Sequence, residues 1–366
     1  MKKIVLIGLS SQSIINFRKT FIRDLINNDF NVFVIAFDDI HASDIKKLGA
    51  NFICLNDNNR SLNPLKILSL KKRYSKIIKK ISPDFVFTFM LKPNIFGVLA
   101  AKRLKIKHVF SMVEGLGDVF INNSFKWKFI RFFVCILYKI SFRYPEKIFF
   151  LNDDDKKEFL NRHLVSENQC EIIKGVGVDI SYFTDTPIST KASFLMIARL
   201  LRTKGVLEYA EAARRIRKTN SNAIFKLLGN EGTLTINDLQ EYIDSGDIIY
   251  LGTTNDVRPY LADSTCFILP SYREGLSMSI MEALACGRPV ITSNVSGCRD
   301  IVIDCYNGYL SKARDVDSLV SCINKILTNK EQTKILGKNA RIYAVQNLDS
   351  NKINKQLISM IDKHIG

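Results

Sequence analysis

Two carboxylates eight positions apart, Glu274 and Glu282, stand in the stretch FILPSYREGLSMSIMEALACGRPVITSNVSGCRD from Phe267 to Asp300. A carboxylate accepts two hydroxyl hydrogen bonds at once, which suits a sugar ring or a ribose. Glu274 falls in a polar turn, Tyr272 to Gly275, and Glu282 falls about one and a half turns into the helical pattern that follows, so both can face one cleft from different depths. Ser277 is placed to cap that helix, and Met278, Met281, Leu284 and Ala285 give it a buried stripe. The backbone N–H groups around Gly275, Leu276 and Ser277 would then point at whatever sits ahead of the helix, where its dipole favours a phosphate.

Two cations complete the chemistry. In IARLLRTKGVLEYAEA, Arg199 ends an apolar run and Lys204 precedes Gly205 and a helical stripe, a pair suited to a diphosphate leaving group. In the first half, Glu114 follows a strand and precedes Gly115 and Gly117, a turn that exposes its carboxylate at a strand end. The first strand runs into GLSSQSIINFRK, where Ser10, Ser11 and Ser13 let a ligand approach the backbone and Asn16 and Arg18 can reach into a cleft. That turn lacks the G-x-G-x-x-G of a dinucleotide site, which argues against a dehydrogenase.

Short apolar strands alternating with helical segments must position these groups. Strands are expected at Ile4 to Gly8, Val32 to Phe37, Phe52 to Leu55, Phe85 to Phe89, Val109 to Val113 and Ile148 to Leu151. A second series is expected at Phe194 to Ala198, Ile224 to Leu228, Ile248 to Leu251, Cys266 to Leu269 and Val290 to Thr292, with helices between, such as Ile15 to Asn27 and Leu65 to Ile81. Alternation of this kind gives parallel sheets covered on both faces, with ligands beyond the strand C-terminal ends. A length of 366 residues, 46% hydrophobic and 24% charged, fits two such domains.

The net charge of +17 is concentrated: 29 Lys and Arg against 14 Asp and Glu precede residue 166, a surplus of 15. Such a half seeks a polyanion. Eight Lys or Arg and no acid occupy Arg60 to Lys80, interleaved with Leu65, Ile67, Leu68, Leu70, Ile77 and Ile78. Asn122 to Lys147 sets Lys126, Trp127, Lys128, Arg131, Lys139 and Arg143 among phenylalanines, as an interfacial helix does. These segments point to docking on the anionic inner face of a membrane. No nucleic-acid recognition motif accompanies the basic residues, so nucleic acid is not an expected partner.

The eight cysteines contain no C-x2-C pair and read as buried thiols of a reducing compartment. Ile4 to Leu9 is too short for a signal-peptide core, and no apolar stretch reaches the roughly 18 residues of a spanning helix. The expected location is cytoplasmic, peripheral on the membrane. Asp153 to Asp155 in LNDDDKKEF read as helix N-terminal acids capping N–H groups rather than metal ligands.

The Glu274 to Glu282 spacing, with PSYREG before it and ACGRPVI after it, resembles the E-x7-E signature of retaining glycosyltransferase family 4, of the two-domain GT-B type. Arg199 and Lys204 resemble its R-x4-K-G pattern, and GVGVD at Gly175 to Asp179 resembles its link into the second domain, placing the hinge near 165–190. The stretch from KPNIFG (Lys92 to Gly97) through VEGLG to YKISF looks like bacterial enzymes that add N-acetylgalactosamine to an undecaprenyl-diphosphate-linked sugar.

The resemblance implies an α/β GT-B fold with two doubly wound Rossmann-like domains facing across a cleft. An acceptor and membrane-facing domain spans 1–165, with the terminal helix 347–366 packing back on it, and a nucleotide-sugar domain spans 166–346. It implies a UDP-sugar donor, an undecaprenyl-diphosphate-linked sugar acceptor in O-antigen or related glycan assembly, and no metal or other cofactor. Arg199 and Lys204 would stabilise the departing diphosphate, Glu274 would hold sugar hydroxyls and Glu282 the ribose. Gly275, Leu276 and Ser277 would hold phosphate, and Gly229 and Asn230 in GNEG would lie near the base. Glu114 stands where relatives often carry a His near the transferred sugar, and Ser11, Asn16, Arg18 and Lys92 belong to the acceptor-side loops. Other donors (N-acetylglucosamine, galactose, glucose), a nucleotide-sugar 2-epimerase on the same fold and a non-enzymatic membrane-binding protein are the alternatives.

Overall fold

The computed structural model describes residues 1–57, 64–121 and 124–363, apart from the side chains of 64–68, 118 and 121. The chain forms two compact units, Met1–Val176 with Ser350–Gly366, and Gly177–Asp349. In chain order the first unit contains β1 (Lys2–Ile7), α1 (Ser11–Asn27), β2 (Phe30–Ala36), α2 (Ala42–Lys47), β3 (Asn51–Cys54), α3 (Pro64–Ile81) and β4 (Phe85–Phe89). A π-helical turn, Pro93–Gly97, leads into α4 (Val98–Arg103), followed by β5 (His108–Val113), α5 (Gly117–Ile121), α6 (Phe125–Ser141), β6 (Lys147–Phe150), α7 (Asp153–Asn161) and β7 (Cys170–Ile172).

The second unit contains β8 (Ser193–Ile197), α8 (Val206–Thr219), β9 (Ile224–Leu228), α9 (Gln240–Asp244), β10 (Ile249–Tyr250), α10 (Arg258–Ala262), β11 (Cys266–Leu269), α11 (Met278–Ala285), β12 (Val290–Ser293), β13 (Gly308–Ser311), α12 (Val316–Thr328) and α13 (Lys330–Asn347). The last helix, α14 (Ser350–Lys363), returns to the first unit, where Asn354 Nδ2 donates to Thr20 Oγ1 and Asp24 Oδ2 of α1 at 3.2 and 2.8 Å.

The first sheet has the order β3-β2-β1-β4-β5-β6-β7 and the second β10-β9-β8-β11-β12-β13, with every strand pair parallel. Each order reverses direction at its centre, between β1 and β4 and between β8 and β11. Ligands of open parallel sheets bind at such a reversal, beyond the strand C-terminal ends. Central strands are buried along their whole length, as FVFTF in β4 and CFIL in β11 are, because helices cover both faces.

Two strands depart from the sequence expectation. The first unit runs to Val176 rather than 165 because β7 pairs with β6 and extends the first sheet to seven strands. Strand β13, GYLS, has no apolar run; it forms because β12 offers a free edge, with Val290 opposite Gly308, where a β-carbon would strike the Val290 carbonyl.

Candidate active site

The loops after β8 and β11 flank the reversal point of the second sheet and carry the expected cations and Glu274, while Glu282 lies in α11, the helix that follows. Lys204 ends a single 3-10 turn, and Gly205 follows in the left-handed region at φ 74°, packed so close to Pro270 that a β-carbon would meet its carbonyl. That approach joins the two loops, and Tyr272 N–H donates to the Thr203 carbonyl at 2.9 Å. Lys204 Nζ donates to both oxygens of Glu274, at 2.6 and 2.8 Å. The sequence reading paired Lys204 with Arg199 as two cations; in the fold Lys204 is the counter-ion of Glu274, because the loops from neighbouring central strands converge.

Arg199 is exposed, and its guanidinium has no hydrogen bond or ion pair among the described residues. Its charge is therefore open to a ligand. Ser271 Oγ donates to Glu274 Oε1 at 2.6 Å, the Glu274 N–H donates to the Ser296 carbonyl at 3.1 Å, and Gly297, at φ 76°, packs against the Glu274 backbone where no β-carbon fits. Glu274 is held on three sides.

Ser277 occupies the N-cap position of α11 with extended backbone, but its side chain makes no capping bond; its hydroxyl lies 3.3 Å from that of Ser279. The expected cap is thus one of position only, which leaves first-turn N–H groups of the helix without a side-chain acceptor from Ser277. Of the expected stripe, Met281, Leu284 and Ala285 are buried, with Ile280 and Ala283, whereas Met278 is half-buried. Gly275 and Leu276 are half-buried in the turn ahead of it. Glu282 is half-buried, has no hydrogen-bond partner among the described residues, and its carboxyl is pushed up to about 8 by desolvation.

The loop after β9 lies beside Arg199. Gly229, at φ 152°, approaches the Ala198 carbonyl so closely that only glycine fits, and its own carbonyl accepts from Tyr250 Oη at 2.7 Å. The Asn230 carbonyl accepts from Leu200 N–H at 2.8 Å and the Asn230 side chain is exposed. Sequence reasoning missed Glu208, Tyr272 and Arg314. Tyr272 Oη donates to Glu208 Oε1 at 2.5 Å beneath the Arg314 guanidinium, 4.5 Å from the ring centroid; burial, then this bond, push the phenol up to about 12. Only YREG in the sequence hinted at this anchor, since its partners lie elsewhere in the chain, Glu208 in the first turn of α8 and Arg314 in the loop between β13 and α12.

In the first unit, Arg18 and Glu114 meet. Arg18 is buried on α1 and forms an ion pair with Glu114 Oε1 at the end of β5; it also donates to Met112 Sδ at 3.1 Å and lies 4.3 Å from the Phe89 ring centroid. Burial pulls the Arg18 pKa down, and Glu114 opposes that pull. Arg18 is thus not on the polar face of its helix, because α1 packs its third turn over the end of β4. Asn16 is exposed there instead.

Ser11 is fully buried and turns its hydroxyl to Asp38 while accepting from the His41 N–H at 3.0 Å, so it serves the turn and not an incoming ligand. Lys92 is buried near Phe37, and desolvation lowers its pKa against the pull of Asp57. Below Glu114, Asn94 of the π-helical turn accepts from Thr88 Oγ1 at 2.7 Å and donates to the Met112 carbonyl at 2.8 Å.

On α6, Lys126 and Lys128 are exposed, while Trp127 is half-buried and Arg131 turns inward to donate to the Val119 carbonyl at 2.7 Å. The outward apolar residues are Phe125, Phe129, Phe132, Phe133, Ile136 and Ile140. The stripe recurs every three to four residues, so Trp127 and Arg131 fall on the flank toward α5. Residues 60–63 of the other basic segment lie outside the described residues, as do Asn122 and the side chains of Leu65, Ile67 and Leu68. In α7 the cap is Asn152, which accepts from the Asp155 N–H at 2.8 Å, and Asp153 to Asp155 form the first turn instead of capping it. Among the described residues, no group of three or more His, Cys, Asp or Glu is placed to hold a metal ion, and no helix is long and apolar enough to cross a membrane.

Residues 181–343 match the family described as glycosyl transferases group 1, and residues 3–152 match glycosyl transferase 4-like. Over 367 aligned residues, 96% of each chain, this chain is 32% identical to the N,N'-diacetylbacillosaminyl-diphospho-undecaprenol alpha-1,3-N-acetylgalactosaminyltransferase of Campylobacter jejuni. It is 28% identical over 287 residues, 73% of this chain and 72% of the other, to the UDP-Gal:alpha-D-GlcNAc-diphosphoundecaprenol alpha-1,3-galactosyltransferase of Escherichia coli. Among solved structures, sucrose-phosphate synthase of Thermosynechococcus elongatus superimposes with TM-score 0.81 at 18% identity, covering 99% of both chains. Anabaena HepE in complex with UDP and glucose superimposes with TM-score 0.80 at 16% identity, covering 99% of this chain and 100% of the other. Both share the two-sheet α/β architecture.

Proposed function

The chain belongs to the group 1 glycosyl transferases, and from that premise we propose that it moves an N-acetylhexosamine, N-acetylgalactosamine in α-1,3 linkage, from a UDP-sugar to an undecaprenyl-diphosphate-linked sugar. The observation that carries this reading is the likeness to the Campylobacter transferase over 96% of both chains, which spans both units. In the second unit, Arg199 and Lys204 stabilise negative charge growing on the leaving diphosphate, the electrostatic task that a metal performs elsewhere. The backbone at Gly275, Leu276 and Ser277 adds N–H donors and a helix N-terminus. Glu274 accepts from sugar hydroxyls, exchanging part of its bond to Lys204, and Glu282 accepts from the ribose.

The test is transfer of radiolabel from a panel of UDP-sugars to a short lipid-diphosphate N-acetylhexosamine, in excess chelator. Label is expected in the lipid phase from UDP-N-acetylgalactosamine. Transfer from UDP-galactose alone would reassign the donor, and activity abolished by chelator and restored by a divalent cation would overturn the metal-free mechanism.

The acceptor's diphosphate lies at an anionic bilayer surface, and the first unit is built for one. Helices α3, α4 and α6 pack into one apolar cluster of that unit, and Lys72, Lys76, Lys79 and Lys80 of α3 with Lys102 and Arg103 of α4 are exposed. Basic residues near such a surface contribute about 1 kcal/mol each. The aromatic stripe of α6 supplies the apolar part, and the enzyme is peripheral on the inner leaflet. Replacing Phe129 and Phe132 together by serine is expected to lower partition onto vesicles containing anionic lipid by roughly tenfold or more, read by cosedimentation, with transfer to a short-chain soluble acceptor unchanged. Partition that follows salt alone and ignores these two substitutions would remove α6 from the contact.

A further inference from the structure

The ion pair at the end of β5 assigns a role to Glu114. Glu114 Oε1 is taken by Arg18, whose side chain is 4% exposed, whereas the Glu114 side chain is 22% exposed and its Oε2 has no partner among the described residues. A buried guanidinium needs a counter-ion, and this one has a single carboxylate. Glu114 therefore gives one oxygen to Arg18 and keeps the other as a hydrogen-bond acceptor. It is also fixed in place. Arg18 holds it from α1, Asn94 holds the Met112 carbonyl two residues earlier, and Thr88 Oγ1 lies 2.8 Å from Ser111 Oγ beneath them. The free oxygen stands at the C-terminal end of a central strand next to the reversal point of the first sheet, where this fold receives ligands.

We propose that Glu114 Oε2 accepts a hydrogen bond from a hydroxyl or amide N–H of the acceptor's terminal sugar, and that Arg18 is the positioning residue that aims it. The assignment rests on the transferase reading above, and it makes Glu114 a binding residue for the acceptor. Specificity follows from the chemistry: a rigid, charged acceptor rewards a hydroxyl or N–H at one place and penalises an acceptor sugar lacking it.

The experiment compares wild type with Glu114→Gln, Arg18→Met and the double variant carrying both changes, measuring acceptor KM, donor KM, kcat, thermal unfolding and acceptor-free hydrolysis of the UDP-sugar. Glu114→Gln is expected to raise acceptor KM by tenfold or more, with kcat within threefold and donor KM and hydrolysis unchanged. Glu114→Gln leaves Arg18 without its counter-ion and is expected to lower the unfolding midpoint. The double variant removes both charges and is expected to recover the midpoint while acceptor KM stays high. If acceptor KM recovers along with the midpoint, the pair is merely structural and the proposal fails. A hundredfold loss of kcat in Glu114→Gln would make it a general base, and a raised donor KM would place it on the donor sugar; either overturns the assignment. Should wild type transfer nothing to the lipid-linked sugar, the transferase reading has the wrong acceptor, and hydrolysis still decides: a rate unchanged by Glu114→Gln supports an acceptor-only contact, and a tenfold fall refutes it.

Discussion

Replacing Arg199 by alanine is expected to lower kcat by about 10²- to 10³-fold, the loss typical of one preorganised donor to a developing oxyanion. The unfolding midpoint is expected to stay at the wild-type value, because the guanidinium is exposed and makes no bond or ion pair among the described residues. The two measurements belong together. A charge kept without a partner among the described residues, at the reversal point of a sheet, stabilises nothing in the free protein; its contribution appears only when an anion forms next to it. Circular dichroism and thermal melts of Arg199→Ala alongside steady-state turnover separate the outcomes, and a variant that unfolds or turns over normally would remove Arg199 from the reaction. Lys204 behaves differently. Its removal strips Glu274 of a counter-ion held at 2.6 and 2.8 Å, so Lys204→Ala is expected to lose turnover and stability together.

UDP-sugar affinity is expected to weaken by about tenfold for each pH unit below 8, the slope of a single group that must lose one proton to bind. The group is Glu282, whose carboxyl desolvation pushes up to about 8. In the free protein at pH 7 it is largely protonated, and it accepts two ribose hydroxyls well only once ionised. Calorimetry at pH 6, 7 and 8 in buffers of different ionisation heat should therefore show a proton released on binding. Glu282→Gln should bind more weakly at pH 8 and show no such slope. The same shift has a consequence for stability: with its folded pKa raised above 4.5, Glu282 favours the folded state fully below that value, and the contribution is lost as pH rises through 8. Glu282→Gln should accordingly be more resistant to unfolding than wild type above pH 8. A flat affinity profile in wild type would take Glu282 off the ribose.

Most of the architecture was legible because a strand covered on both faces must be apolar throughout. FVFTF and CFIL announce themselves in one dimension, whereas GYLS at β13 does not, since a free edge on β12 and a glycine that fits against Val290 are what make it a strand. The carboxylate spacing and the R-x4-K-G pattern fixed which loops carry chemistry, because turn residues and helix starts are set locally. Local pattern also showed that α6 is amphipathic. It did not show which side faces out: Arg131 was grouped with Lys126 and Lys128, yet it donates to the Val119 carbonyl, a partner supplied by a separate helix.

The alternation of strand and helix, the basic first half and the identity of the groups at the loop ends all follow from local sequence. How those groups combine follows from the packing of the strands. Lys204 joins Glu274 across 70 positions and Arg18 joins Glu114 across 96, while Arg199 and Glu282 are left without partners among the described residues. Pairing depends on which strand ends lie side by side, and that order is settled by crossover connections that bring distant segments together at the centre of each sheet. No spacing rule within one segment carries that information.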